Sequence, residues 1–98
     1  MKAYWIANVT VTDPDNYAAY QTLAPEAFRA YGARFIARGG RNDALEGRQT
    51  PQRTVIIEFP SYQHAYDCYH SEAYRDARQA RRKAAEVDIV IVEALPSE

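Results

Sequence analysis

The stretch YHSEAY, residues 69–74, brings a histidine, a hydroxyl and a phenol into one short segment. Histidine can donate or accept a proton, and a phenol can donate a hydrogen bond to a ligand. Ser71 is of the type that caps a following helix, with Tyr74 one turn later. Two interpretations stay open: His70, Ser71 and Tyr74 converge on the edge of a ligand pocket, or the stretch is a structural corner between helices. No acidic residue is placed to orient His70, so a nucleophilic triad is not supported.

The stretch RFIARGGR, residues 34–41, combines a strand-like run with arginines and a pair of glycines. The glycines lack the spacing of a phosphate-binding loop and do not open a helix, so they predict a bulge or a turn. Arg38 is predicted to lie with Asn8 and Thr54 at one end of a partly apolar sheet face. A guanidinium there needs a negative partner. That partner is either an anionic ligand or a carboxylate in a structural ion pair.

His64 and Cys68 stand four residues apart on a predicted helix, a spacing compatible with metal binding. Two ligands do not make a metal site, and Cys68 is the only cysteine of the chain. We therefore predict no metal, no cofactor and no internal disulfide. A single cysteine fits a reducing compartment. The N-terminal apolar run is too short and too interrupted for a signal peptide or a membrane span, so a cytoplasmic location is expected.

The overall charge argues against two classes of partner. The 98 residues carry a formal net charge of -1, so no strong field marks the chain for nucleic acid or for an anionic membrane. The chain has eight tyrosines, and their helical spacing favours a core or a pocket over stacking on nucleic acid. Tyr17 and Tyr20, on the predicted first helix, are assigned to the pocket lining. The length predicts a single domain over residues 1–98.

Hydrophobic periodicity and capping residues predict the order strand, helix, strand, strand, helix pair, strand. The strands are predicted at residues 3–11, 33–38, 53–59 and 87–94, and the helices after the caps Asp13, Ser61 and Ser71. The last helix is expected to run to residue 85, and Pro25 is expected to bend or break the first. Right-handed crossovers then give an α+β fold, a ferredoxin-like split βαβ sheet with strand order 4-1-3-2 and helices on one face.

Alternation along the strands divides the side chains between two faces of the sheet. The face assigned to the helices is wholly apolar and consists of Trp5, Ala7, Val9, Val11, Phe35, Ala37, Val55, Ile57, Phe59, Val90 and Val92. The opposite face is assigned Tyr4, Ile6, Asn8, Thr10, Arg34, Ile36, Arg38, Thr54, Ile56, Glu58, Ile89, Ile91 and Glu93. Its isoleucines are costly to leave in water, and no element of the chain remains to cover them. We therefore predict a homodimer formed sheet to sheet about a two-fold axis.

The predicted dimer interface combines an apolar centre with an ion pair. Its apolar residues are Ile6, Ile36, Ile56 and Ile91. Arg34 is expected to meet Glu58 and Glu93 at the end of the sheet that lies opposite to Arg38. Such a pair fixes the register of an interface more than it stabilises it, because desolvation offsets most of the attraction.

Four stretches resemble, in order and spacing, the family catalogued as domain of unknown function 1330: YWIANVTVTDPDNYAAY, YGARFIARGGR, LEGRQTPQRTVIIEFPS and YHSEAYRDARQARR. The resemblance covers nearly the whole chain. It implies a dimeric α+β barrel, the superfamily that also contains cofactor-free monooxygenases, haem-degrading enzymes and small isomerases. It implies no established reaction. Many relatives have a histidine in the first strand where this chain has Asn8, which argues against proton transfer at that position.

Two functions remain open at this point. The first is a small homodimeric protein that binds a small, partly apolar, carboxylate-bearing ligand, with the binding candidates Asn8, Arg38, Tyr17, Tyr20, His70, Ser71 and Tyr74. By fold analogy alone, such a protein could be a cofactor-independent oxygenase or an isomerase. The second is a dimerisation or regulatory module without chemistry. A ligand that binds the folded state raises its stability, so a thermal-shift screen distinguishes the two.

Overall fold

Residues 1–96, the part of the chain that the computed structural model describes, form a four-stranded sheet with three helices on one side. Residues 97 and 98 of the predicted domain lie outside this part. The strands are β1 (Ala3–Val11), β2 (Arg34–Arg38), β3 (Arg53–Phe59) and β4 (Ala85–Glu93), and the helices are α1 (Pro14–Ala30), α2 (Tyr62–Tyr69) and α3 (Glu72–Ala80). The sheet order is β2-β3-β1-β4, with antiparallel pairing throughout. The predicted ferredoxin-like α+β fold is confirmed.

One face of the sheet is buried beneath the helices. Trp5, Ala7 and Val9 are buried and alternate with more exposed neighbours along β1, and β3 contributes Ile57 and Phe59 to the same core. Side chains two residues apart in a strand share one face, so this pattern agrees with the predicted assignment for both strands. The core is completed by helix residues, which are Tyr17, Ala24, Ala27, Phe28, Ala65, Cys68, Tyr74 and Ala77.

The predicted face assignment of β4 is wrong. Ile89 and Ile91 pack against the core on the helix side, because they pair with the buried residues Ala7 and Trp5 of β1. Ile91 therefore does not lie on the open face, our name for the sheet face opposite the helices. Glu93 has the same parity along the strand as Ile91, so it also lies off the open face.

Val90 and Val92 occupy the open face instead, where they are 60% and 48% exposed. Because β4 carries apolar side chains at both parities, alternation of hydrophobicity alone does not orient it. Glu86 and Asp88 share the parity of the two valines. Because these four side chains point away from the helices, the carboxylates of Glu86 and Asp88 stay out of the core, where an unpaired charge is costly.

The predicted position of Arg38 is also wrong, because β2 contains a β-bulge. The register shifts between Phe35 and Ala37, where Ile36 is the extra residue. Beyond the bulge, Arg38 pairs with Val55, which packs against the core. Arg38 therefore lies on the helix side of the sheet. A bulge reverses the parity of the residues that follow it, which simple alternation does not anticipate.

The helices begin at the predicted caps but end differently from the prediction. α1 runs without interruption through Pro25, so the expected break does not occur; the carbonyl left without a partner belongs to the exposed Gln21 and can meet water. α3 ends at Ala80, earlier than expected, and β4 begins earlier, at Ala85. Within the described residues, no helix combines the length and the apolar character that a membrane crossing requires.

Trp5 lies at the centre of an aromatic core that joins the sheet to the helices. Its ring, 1% exposed, lies edge-on to Phe28 and Tyr74, with centroid distances of 5.2 and 5.0 Å. Phe59 stacks on it at 5.7 Å. Edge-to-face and offset-stacked geometries are favourable for aromatic pairs. The cluster therefore fixes α1 and α3 over the sheet, and these elements frame the cavity described next.

Candidate functional site

A small cavity, which we call the helix-side cavity, lies between α1, the end of α3 and the sheet. Its volume is about 50 Å³. Most of its lining is apolar or aromatic and consists of Trp5, Ala7, Val9, Tyr17, Tyr20, Gln21, Ala24, Pro25, Phe28, Phe35, Val55, Ile57 and Val87. Arg38, Arg53 and Arg81 complete it. The cavity thus combines a largely apolar interior with three positive charges.

The arginines reach the cavity from different elements. The guanidinium carbon of Arg38 lies 4.1 Å from the centre of the Phe35 ring. Arg81 is the C-cap residue of α3, and its guanidinium carbon lies 5.0 Å from the centre of the Tyr20 ring. The salt bridges within residues 1–96 do not include Arg38, Arg53 or Arg81. These guanidinium groups are therefore available to an anion.

Gly39 allows Arg53 to lie against the turn that follows β2. The φ angle of Gly39 is 76°, a left-handed conformation that glycine adopts without strain. Its N–H donates to the carbonyl of Thr54 at 3.0 Å. A Cβ at this position would lie 3.2 Å from the guanidinium carbon of Arg53. Gly39, the first glycine of RFIARGGR, therefore permits both the turn and the close approach of the Arg53 side chain.

Tyr17 and Tyr20 line the helix-side cavity, whereas Tyr74 lies behind them in the core and is 0% exposed. The hydroxyl oxygens of Tyr20 and Tyr74 are 2.7 Å apart. Burial, and to a smaller extent the neighbouring Tyr74, raises the pKa of Tyr20. Burial also raises the pKa of Tyr17, against the opposing charges of Arg53 and Arg81. The phenols of the cavity are therefore neutral hydrogen-bonding groups at neutral pH.

His70 lies elsewhere, in an open groove between α2, α3 and β4 that we call the α2–α3 groove. The groove has a volume of about 440 Å³ and is lined by Tyr66, Tyr69, His70, Arg78, Arg81, Val87, Ile89 and Ile91. His70 is exposed, and its ring centre is 4.5 Å from that of Tyr66. Because Tyr74 is sealed in the core, the structure does not bring it together with His70 in one pocket.

Ser71 caps α3 rather than lining either pocket. Its hydroxyl accepts a hydrogen bond from the backbone N–H of Tyr74 at 3.1 Å and donates one to the carbonyl of Cys68 at 2.6 Å. We expect Ser71→Ala to lower the free energy of unfolding by about 1 kcal/mol, because the cap is lost. Urea denaturation measures this change. Thr22→Ala, which removes an exposed hydroxyl from within α1, is the control, and an equal effect of the two would contradict the capping role.

Asn8 and Arg38 lie on opposite faces of the sheet, so their predicted cluster is wrong. On the open face, the side-chain oxygen of Asn8 accepts a hydrogen bond from the hydroxyl of Thr54 at 3.0 Å. Arg38 lines the helix-side cavity instead. The parity change at the β2 bulge separates the two residues. Asn8 is therefore not a candidate for the site that contains Arg38.

Glu58 forms ion pairs at the other end of the open face. One carboxylate oxygen lies 3.0 Å from Nε of Arg34 and 3.4 Å from Nζ of Lys2. Partial desolvation raises the pKa of Glu58, but the hydrogen bonds from Arg34 and Lys2 outweigh it and leave the pKa below its usual value. Ile6 pairs with Ile56 further along the same face. The open face thus has an apolar centre and a charged end.

His64 and Cys68 are not arranged as a pair of metal ligands. His64 is exposed, and its ring nitrogen forms a hydrogen bond with the hydroxyl of Ser61. Cys68 is buried, with its sulfur 3.7 Å from the carbonyl oxygen of Ala27. Within residues 1–96, histidine, cysteine, aspartate and glutamate form no cluster of three that could hold a metal ion.

Comparison with known families and structures identifies relatives of this chain and of its fold. The family model for a domain of unknown function, DUF1330, matches residues 2–95. The chain belongs to the DUF1330 family. This confirms the resemblance drawn from the four sequence stretches. No curated protein is significantly similar to the DUF1330 chain.

Solved structures share the fold of this DUF1330 protein at low sequence identity. A protein of unknown function from Rhodopseudomonas palustris is 22% identical, with a TM-score of 0.72 over 98% of this chain and 84% of that one. SnoaB from Streptomyces nogalater, described as a cofactor-independent oxygenase, is 9% identical, with a TM-score of 0.63 over 98% and 95%. A dimeric protein of ferredoxin-like fold from Bacteroides fragilis is 14% identical, with a TM-score of 0.55 over 95% and 96%. At these identities, the likeness establishes the fold.

Two cavity residues of the DUF1330 chain were not identified from the sequence. Arg53 pairs with the buried Val9 and has the parity of Val55, so alternation along β3 places it on the helix side. The alternation of β3 is visible in the sequence and was sufficient to assign Arg53 to the helix side. Arg81 follows the end of α3 within a charged run and has no comparable local signal. The packing of α3 against α1 brings it to the cavity.

Proposed function

We propose that this protein is a homodimer that binds a small, partly apolar carboxylate in the helix-side cavity. The observation that carries the proposal is the lining of that cavity. Arg38, Arg53 and Arg81 line it, while no Asp or Glu of the described residues does. A guanidinium group matches a carboxylate through two parallel hydrogen bonds, which favours a carboxylate over a neutral ligand.

The size of the cavity limits the apolar part of the ligand. An apolar cavity of about 150 Å³ accommodates benzene, whereas the helix-side cavity has a volume of about 50 Å³. A short alkyl chain fits this space better than an aromatic ring. We therefore propose that the ligand resembles a short-chain acid, with its alkyl group against the aromatic walls and its carboxylate at the arginines.

The proposed dimer covers the open face of each sheet with that of a second copy. Ile36, Val90 and Val92 are 48%, 60% and 48% exposed, and they extend the apolar centre formed by Ile6 and Ile56. Apolar area of this kind on a sheet face is typical of a protein interface. The dimeric description of the similar protein from Bacteroides fragilis supports the same arrangement.

Binding without acid–base catalysis is the form of the proposal that the cavity supports best. Burial raises the pKa of Tyr17 and of Tyr20, so neither phenol is a proton acceptor at neutral pH. The fold likeness to a cofactor-independent oxygenase supports an enzymatic form, in which the ligand itself would have to react readily. A non-catalytic dimerisation module is the alternative, and it predicts that no small acid binds.

The proposed compartment is the cytoplasm, and the proposed protein requires no bound cofactor. Cys68 is a free, buried thiol, which fits a reducing environment. The ligand contacts proposed above use only side chains of this chain. Neither proposal affects the choice of ligand for the binding test.

A thermal-shift titration with propionate tests the proposal, with 1-propanol as the neutral ligand of similar size. We expect propionate to raise the melting temperature and 1-propanol not to, because only propionate pairs with the arginines. Arg53→Met should weaken propionate binding by about tenfold or more, since a hydrogen bond to a charged group contributes about 1.5–3 kcal/mol. Arg41→Met removes the same charge from an exposed loop residue and is the matched control.

Three outcomes would contradict the carboxylate proposal. Equal stabilisation by propionate and 1-propanol would show that the arginines do not recognise the ligand. Equal affinity of Arg53→Met and Arg41→Met for propionate would place the ligand outside the helix-side cavity. If no small acid binds while the protein remains dimeric, the non-catalytic module is the better description.

A further inference from the structure

We infer that the α2–α3 groove is a second binding site, specific for a planar aromatic carboxylate. This site does not depend on the proposed function of the helix-side cavity. The groove is about 440 Å³ in volume and the cavity about 50 Å³. Ligand pockets commonly measure about 300–1,000 Å³, so the groove admits a ring system that the cavity cannot contain.

Two buried guanidinium nitrogens on the α3 side of the groove have no partner. The Nε atoms of Arg78 and Arg81 are both inaccessible to solvent and have no hydrogen-bond acceptor within the described residues. A buried donor without an acceptor is destabilising, and the great majority of such groups in folded proteins are paired. Both arginines line the groove, so a small movement of either side chain would expose its Nε to the oxygens of an anionic ligand, which would supply the missing acceptor. No Asp or Glu of residues 1–96 lines the groove to take that place.

Aromatic rings on the α2 side of the groove provide surfaces for a planar ligand. The centre of the His70 ring is 4.5 Å from that of Tyr66 and 5.2 Å from that of Tyr69. The guanidinium carbon of Arg78 lies 4.6 Å from the centre of the Tyr69 ring. A ligand ring can therefore stack on aromatic faces while its carboxylate reaches the arginine.

The floor of the groove is apolar, so the groove differs chemically from a purely ionic binding site. Ile89 and Ile91 of β4 are partly buried and line the groove beneath the aromatic side chains. Contact with this floor favours a ligand with an apolar edge over a small inorganic anion. The chemistry of the whole groove thus selects a flat, apolar ring system with one carboxylate.

The groove and the helix-side cavity can be tested separately, because each has an arginine of its own. Of these two sites, Arg78 lines the groove and not the cavity, Arg53 lines the cavity and not the groove, and Arg81 lines both. A variant at Arg78 therefore reports on the groove. A variant at Arg53 reports on the cavity and on the propionate binding proposed there.

The test is a titration of the 98-residue chain with 2-naphthoate, monitored by calorimetry and by amide chemical shifts in NMR spectra. We expect binding with a dissociation constant of about 1 mM or tighter, with the largest shift changes at Tyr69, His70 and Arg78. Arg78→Met should weaken binding about tenfold, since it removes a charge-assisted hydrogen bond. Arg75→Met, an exposed arginine of the same helix, should bind as the unmodified protein does. His70→Ala changes an exposed residue, so it provides a second variant that should fold and bind more weakly.

Decahydro-2-naphthoate, which has the same charge and carbon skeleton but puckered rings, tests whether planarity matters. We expect it to bind more weakly than 2-naphthoate. Equal binding of both acids, or equal binding by Arg78→Met and Arg75→Met, would overturn the inference. So would the absence of 2-naphthoate binding, including the case in which a second copy of the chain covers the groove. Propionate affinity should be the same in Arg78→Met and the unmodified protein, so failure of one site is distinguishable from failure of the other.

Discussion

Ile56→Asp is expected to sediment as a monomer at concentrations where the unmodified protein is expected to form the proposed dimer. Ile56 lies in the middle of the open face, paired with Ile6, and is half-buried in the single chain. A two-fold axis brings the substitution into the interface twice. Burying an unpaired carboxylate costs several kcal/mol, so we expect the dimer dissociation constant to rise about a hundredfold or more.

The control for this variant places the same charge on a different surface. Leu23 on α1 is 40% exposed, and Leu23→Asp makes the same apolar-to-acidic change away from the open face. We expect Leu23→Asp to remain dimeric in sedimentation velocity experiments. A stable monomer of the unmodified protein at micromolar concentration would refute the proposed dimer, as would equal dimerisation of both variants.

The free energy of unfolding is expected to fall steeply above pH 9, because the fold buries neutral acids. Burial raises the pKa of the Cys68 thiol from 9.0 to about 12. Between these pH values, the unfolded chain releases the thiol proton and the folded chain retains it. Unfolding is then favoured by about 1.4 kcal/mol per pH unit, or about 4 kcal/mol over the whole interval. The contribution is fully present below pH 9 and is lost as the pH rises to about 12.

Tyr20 and Tyr74 should steepen this loss above pH 10. Burial raises the pKa of both phenols above their ordinary value of 10.0, so each ionises in the unfolded chain at a lower pH than in the folded one. The sign is the same as for Cys68, and each phenol adds up to about 1.4 kcal/mol per pH unit. Between pH 9 and 10 the thiol therefore contributes more to the loss than either phenol does.

Urea denaturation at pH 7, 9, 10 and 11 measures this dependence, with Cys68→Ala as the comparison. We expect Cys68→Ala to lose less stability than the unmodified protein between pH 9 and 10, and Tyr20→Phe to lose less above pH 10. Identical curves for the unmodified protein and Cys68→Ala would contradict a buried, protonated thiol. The comparison uses changes with pH, so a constant packing defect in either variant does not affect it.

The secondary-structure elements and the strand order follow closely from local sequence signals. Asp13, Ser61 and Ser71 are helix caps in the structure as in the prediction, since a side-chain oxygen at an N-cap acts within one turn. The strand order follows from right-handed crossovers and from the predicted order of the elements. These are rules about neighbours in the chain, and they do not depend on distant packing.

The candidate site was harder to predict, because its arginines depend on parity and on tertiary packing. Arg38 lies on the helix side because of a bulge in β2. The extra residue of this bulge is an isoleucine, so no glycine or proline signals the bulge in the sequence. Arg81 joined the cavity only because α3 packs on α1. In contrast, Arg53 followed the simple alternation of β3 and could have been found. Alternation locates a site residue only where the strand is regular and one of its faces is clearly polar.

The bulge in β2 determines which side of the sheet Arg38 serves. Regular alternation from Arg34, which pairs with Glu58, would place Arg38 on the open face, whereas the extra residue brings it opposite Val55 on the helix side. Deleting Ile36 would remove the bulge and leave Arg38 opposite Val55, so the charge in the cavity would be kept. DUF1330 chains that differ by one residue at this edge strand can thus present the same arginine to a ligand, because the bulge absorbs the difference in length.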